Sequence, residues 1–399
     1  MNVNLKNSLL ATMCSSALFL TACGGDGGDF TYTKSDVAAY GVDADVSVLA
    51  GKHEILTYKM QSVLKTDIDA TTLVFIPKGT APAGGWPVVV WAHGTTGAAD
   101  KCAPSNNPLD GGEKDLVKEL LSRGYAVVAP DYEGLGNTKV AHPYLNLSSA
   151  AVSILGALDA ANKKYGNLSK NWSVVGWSQG GHAALAAAEF HSALPTYNYK
   201  GAVAIAPASY LAPTLENGMD YALGLAQSGP QGLTEAVPIA ATLYTYAAIV
   251  SSGIKAGNTA FNYNQAFLND KTSIASQAES LCSPELARIF AGDIQSTLAG
   301  NGGDYSKYQA LQPKFLDDAD IKKYLAENTP AKVKLDKPVV IFQGTADTTV
   351  PYLITQQLES YMLSQKTDVR LITKVNETHG TSFSNNIAEI SDEVDELMN

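Results

Sequence analysis

The chain is poor in the residues that mark several large classes of protein. Lysine and arginine number 28 against 39 aspartates and glutamates, with no basic block, and the formal charge of -11 excludes a nucleic-acid surface built on a cationic stripe. Only four cysteines and six histidines occur, with no CxxC and no mixed His/Cys cluster, so neither a metal site nor a cofactor is expected. No internal repeat is visible. Charged residues are 17% and hydrophobic ones 45%, which describes a chain able to bury a sizeable core rather than a disordered or fibrous one.

What is present begins with a leader. Lys6 precedes an apolar stretch, 9–20, that is too short for a permanent bilayer span and ends in Leu20-Thr21-Ala22-Cys23. This resembles the lipobox of a bacterial lipoprotein, which implies a signal peptide over residues 1–22 and lipidation of Cys23. Residues 23–35, opening Gly24-Gly25-Asp26-Gly27-Gly28-Asp29, read as a flexible tether. The expected location is therefore the bacterial cell envelope, with the protein exported and held at the outer membrane or periplasmic face by its acyl chains; plain secretion is the alternative. No later stretch is expected to cross a membrane. With Cys14 in the leader and Cys23 acylated, Cys102 and Cys282 remain, and in an oxidising compartment they are expected to pair; two free buried thiols are the alternative.

Beyond the tether, short β-rich apolar runs alternate with helical segments, the pattern of an α/β sheet protein. Strands are expected at 55–63, 71–76, 88–92, 125–129, 172–175, 201–206, 339–342 and 369–375, and helices at 114–122, 147–165, 182–191 and 352–363, with a terminal helix after them. The run Val88-Val89-Val90-Trp91-Ala92 suits a strand buried on both faces. Between 206 and 338 the composition shifts to Ala, Leu, Tyr and Gly. So long a segment is implausible as a loop, and residues 208–336 are expected to form a mainly helical cap inserted into a domain spanning 36–399.

Chemistry enters at Gly176-Trp177-Ser178-Gln179-Gly180-Gly181, a G-x-S-x-G sequence between an expected strand and an expected helix. A nucleophile placed on such a sharp turn needs small residues two before and two after it, which Gly176 and Gly180 supply. Ser178 then requires a base. His182 and His191 lie on the following helix, His53 and His142 in segments taken as peripheral, and His93 in another motif, so His379 is left, just after the last expected strand. Asp347, in a turn after strand 339–342, is the carboxylate to orient it; a helix-capping role is its alternative, with Glu377 and Asp368 in reserve. The oxyanion is expected to meet the N–H of Gln179 and that of Thr95 in His93-Gly94-Thr95-Thr96-Gly97, with the Thr95 hydroxyl as an extra donor and His93 orienting the loop.

The order Ser178, Asp347, His379 is that of the α/β-hydrolase fold, a mostly parallel sheet flanked by helices. Together with Trp91-Ala92-His93-Gly94, Ala129-Pro130-Asp131-Tyr132-Glu133-Gly134, the segment 344–351 and His379-Gly380, it resembles the secretory lipase family, the group of Candida antarctica lipase A. The resemblance runs from about residue 50 to the end. It implies a lid-bearing carboxylester hydrolase acting on small or lipid esters without a cofactor, with Ser178, Asp347 and His379 as the triad. The lipobox departs from that family, so extracellular release does not carry over. Rival readings are an amide hydrolase or serine peptidase on the same triad, and a binding module on a decayed hydrolase fold.

Overall fold

No polar residue alternates with Val88, Val89, Val90, Trp91 and Ala92, so this run needs cover on both faces. In a computed structural model, which describes residues 36–136 and 139–399, it lies in the middle of the sheet. The leader, the tether and Cys23 fall outside the described residues.

The strands are β1 (Val37–Ala39), β2 (Ala50–Gln61), β3 (Asp67–Pro77), β4 (Trp86–Ala92), β5 (Ala126–Pro130), β6 (Leu168–Trp177), β7 (Asn198–Ile205), β8 (Val339–Gly344) and β9 (Val369–Lys374). They form one sheet in the order β1-β2-β3-β5-β4-β6-β7-β8-β9. From β5 to β9 the neighbours run parallel, while β1, β2 and β3 are antiparallel to one another and β3 to β5. The helices are α1 (Ala44–Ser47), α2 (Gly111–Ser122), α3 (Leu147–Lys164), α4 (Gln179–Phe190), α5 (Leu211–Gln227), α6 (Pro230–Gly257), α7 (Thr272–Ala275), α8 (Ser283–Gly300), α9 (Ala319–Glu327), α10 (Tyr352–Ser364), α11 (Thr381–Ser384) and α12 (Ile387–Met398).

Two apolar layers enclose the sheet. Ile154 of α3, Leu185 of α4 and Leu358 and Met362 of α10 pack with Val88, Val90 and Val174 on one face. Leu116 and Leu120 of α2 and Ile390 and Val394 of α12 pack with Val89, Trp91 and Val175 on the other. Helices α5 to α9 fill the long interval between β7 and β8 and build a core of their own around Tyr244, Ile249, Phe267 and Phe290. By length and composition α6 alone among the described helices could cross a membrane, but 78% of its most apolar stretch is buried inside the protein.

Of the boundaries that differ from expectation, two have a visible cause, one local and one in the packing. Strand β2 stops at Gln61, short of Val63, because Ser62 and Thr66 close a turn (N···O 2.9 Å) with Lys65 in the left-handed region, φ 60°. Helix α4 starts at Gln179 rather than His182, so Gly180 and Gly181, poor helix formers, sit in its first turn. Packing decides this: a Cβ on Gly180 would lie 1.8 Å from the carbonyl oxygen of Ala92.

Candidate active site

The parallel strands all deliver their carboxyl ends to one edge of the sheet, where α/β proteins bind ligands. The loop 93–97 follows β4, Ser178 follows β6, Asp347 follows β8 and His379 follows β9.

Ser178 stands at φ 59°, ψ -114°, a conformation costly for a residue with a Cβ. Its N–H donates to the carbonyl of Ile205 (2.8 Å) and its carbonyl accepts from Ala208 (3.2 Å), so β7 and the chain after it hold the turn. A Cβ on Gly176 would stand 2.0 Å from the carbonyl oxygen of Gly180, which is why the strand and the helix can meet so closely. Ser178 is nearly buried.

Asp347 and His379 are brought together. The Nδ1 of His379 lies 2.8 Å from Oδ2 of Asp347, whose side chain is wholly buried. The carboxylate also accepts from Gln343 Nε2 (2.9 Å) and from the N–H groups of Thr349 and Val350 (2.8 Å each). Asp347 thus caps the turn before α10 and pairs with the imidazole through its other oxygen. A Cβ on Gly344 would fall 2.2 Å from the carbonyl oxygen of Glu377, which lets the aspartate and histidine loops touch. Glu377, held in reserve from the sequence, instead accepts from Asn386 (2.6 Å).

With Nδ1–H donated to Asp347, the other ring nitrogen of His379 is a free acceptor; it is buried and meets no partner among the described residues. The ring packs 5.2 Å from that of Trp177, whose Nε1–H donates to the carbonyl of His379 (3.0 Å). Trp177, an unspecified position in the glycine motif, therefore ties the histidine loop to the residue next to Ser178.

Gln179 opens α4, so its N–H has no intrahelical acceptor. Its side chain reaches Nε2 of His142 (3.0 Å), while Nδ1 of His142 lies 2.7 Å from the carbonyl of Glu133. Burial pushes His142 down to about 4, so the ring is neutral, donates from Nδ1 and accepts from Gln179. His142 was expected in a peripheral segment; it is buried against the elbow helix, which corrects that reading. Nothing local in His142-Pro143 signals this, because the partner is 37 residues away.

Thr95 carries its hydroxyl 2.7 Å from that of Tyr144, and either oxygen can be the donor of that bond. His93 is buried and pushed down to about 4 by desolvation; its Nδ1 faces the carbonyl of Gly94 at 2.7 Å, a loop-orienting contact. Asp131, at the end of β5, is raised to about 6 by burial even though it accepts from Thr71 and Ser105. Tyr246, on α6, is pushed up to about 12 by burial and then by the charge of Asp347. Cys102 and Cys282 form a disulfide with Cα atoms 5.5 Å apart.

The strand order agrees with a comparison across known families, in which residues 89–383 match the alpha/beta hydrolase family. The chain belongs to the α/β hydrolase family. Among solved structures this hydrolase is similar to the rice cell wall degrading esterase LipA from Xanthomonas oryzae (TM-score 0.68, 20% identity, 94% of this chain and 100% of that one). It is also similar to Candida antarctica lipase A (TM-score 0.69, 16% identity, 92% of this chain and 82% of that one). At these identities the likeness is one of fold. A Pseudomonas fluorescens poly(3-hydroxyoctanoate) depolymerase is 46% identical over 56 residues, a match spanning 14% of this chain and 20% of that protein.

Proposed function

We propose that this hydrolase cleaves carboxylic esters through Ser178, His379 and Asp347. The observation that carries the reading is the imidazole of His379, bonded through Nδ1 to a buried carboxylate and holding a buried, unpartnered Nε2 on a loop tied to the residue before Ser178. In that arrangement Nε2 takes the proton of Ser178 Oγ as the oxygen attacks an ester carbonyl. Asp347 stabilises the imidazolium, and the N–H groups of Gln179 and Thr95 receive the oxyanion. His379 returns the proton to the departing alcohol, then activates water to release the acid and regenerate the serine. The names of the compared proteins support an ester substrate: an esterase, a lipase and a depolymerase of a polymer joined by ester bonds. Ser178→Ala is expected to abolish both ester turnover and fluorophosphonate labelling in a folded protein; retained turnover overturns the assignment.

Helices α5 to α9, which fill the interval between β7 and β8, serve in this reading as the cap that receives the acyl chain. A flat rate profile over esters of graded acyl length overturns that role. The lipobox supports an exported protein lipidated on Cys23, and a disulfide suits such a compartment.

A further inference from the structure

Gly97 has φ 142°, and a Cβ there would stand 2.9 Å from both Cys102 Sγ and Cys282 Cα. Only glycine lets the loop after β4 lie edge to edge with the segment that opens α8, and the two form an antiparallel bridge, Gly97 to Cys282. Ser283 is the first residue of α8, so its N–H has no acceptor within the helix. It donates to the carbonyl of Thr96 (2.9 Å), and its Oγ–H to the carbonyl of Thr95 (3.3 Å). The disulfide Cys102–Cys282 and the ion pair Lys101–Glu285 (2.8 Å) fasten the same two segments on either side of these bonds.

Thr95 is consequently held from three directions. A peptide unit is planar, so fixing its carbonyl fixes its N–H. His93 holds the carbonyl of Gly94, which shares a plane with the N–H of Thr95; Ser283 holds the next plane; Tyr144 holds the side chain. Oxyanion stabilisation depends on donors aimed before the charge develops, and looseness of a few tenths of an ångström at Thr95 weakens it.

We infer that Ser283, a residue of the helical excursion, is a positioning residue for the oxyanion loop, acting through Thr95 and kept in place by the Cys102–Cys282 disulfide. The inference rests on the reading of Thr95 N–H as an oxyanion donor. It makes the segment 282–283 a working part of the site that stays on the loop.

The test compares wild type, Ser283→Ala and Ser283→Thr on a p-nitrophenyl ester, with phenylboronic acid as the probe of tetrahedral-adduct binding. Ser283→Ala is expected to lower kcat about tenfold, less than the roughly 100-fold that loss of a donor costs, with KM nearly unchanged. Boronate affinity should weaken by a similar factor, and Ser283→Thr should restore most of both. A purely structural role lowers the melting temperature without this kcat and boronate signature. Should Ser283→Ala fail to fold, dithiothreitol on the wild type releases the same segment, and the kcat loss should reverse on reoxidation. Unchanged kcat and boronate affinity in folded Ser283→Ala, or under reduction, overturns the inference. Failure of the wild type to label with fluorophosphonate brings down the esterase reading instead.

Discussion

His182 lies on α4 four residues beyond Ser178, close in sequence and wholly buried, yet its Nε2 faces the carbonyl of Asn328 at 2.8 Å, so it fastens the elbow helix to the end of α9. Burial pushes its ionisation down to about 4, below the ordinary 6.5. As pH falls from about 6.5 to about 4 the unfolded chain protonates this ring and the folded one does not, so its contribution to stability declines through that window. His182→Gln removes the titration and keeps the bond donor. Urea midpoints of wild type relative to this variant should therefore drop on going from pH 7 to pH 4.5, the carboxylates being common to both; a constant difference refutes the account. At this scale the strand-end positions of Ser178, Asp347 and His379, and the contact between the last two, were legible in the sequence. Trp177, Gln343 and His142 were not, since each acts on a neighbour whose position only the fold supplies.

At the scale of elements, glycine does what propensity argues against. Gly344 ends β8 where the aspartate loop must lie against the histidine loop, and a Cβ would meet the backbone oxygen of Glu377 at 2.2 Å. Gly344→Ala is expected to cost about 2 kcal/mol or more by overpacking and to lower kcat by separating Asp347 from His379. Gly292, within α8 and with nothing within 4 Å of its added Cβ, gives the contrast. There alanine should raise stability by about 0.5–1 kcal/mol, read by chemical denaturation, and leave kcat alone. Equal behaviour of the two variants contradicts the close-approach argument. Strand 88–92 was evident from its apolar run, whereas the start of α4 was misplaced by three residues because Gly180 and Gly181 obey contact with Ala92 and Pro207, not local preference.

For the whole molecule, attachment to a membrane and attachment of the helical excursion to the sheet are separate questions. The first rests on residues 1–35. Cells expressing the full chain should incorporate labelled palmitate and carry the protein into the detergent phase, and Cys23→Ser should lose both; a wild type that remains in the aqueous phase ends the lipid-anchor proposal. The second rests on the fold. The excursion is joined to the sheet domain at the Gly97–Cys282 bridge, at Tyr324 with the carbonyl of Tyr144 (2.8 Å) and at Asn328 with the N–H of Leu147 (2.8 Å).

The sequence by itself determined the alternation of buried strands and helices, the presence of helices between the strands now seen as β7 and β8, and the order in which serine, aspartate and histidine appear. Those are one-dimensional properties: hydrophobic period, composition and position relative to a strand end. Tertiary structure alone decided that Glu377 turns to Asn386, that His142 meets Gln179, and that Ser283 reaches back 188 residues to Thr95. Each is a choice among several polar groups of suitable chemistry. Distance makes that choice, and distance exists only once the sheet has set its strand order and the glycines have let the loops close.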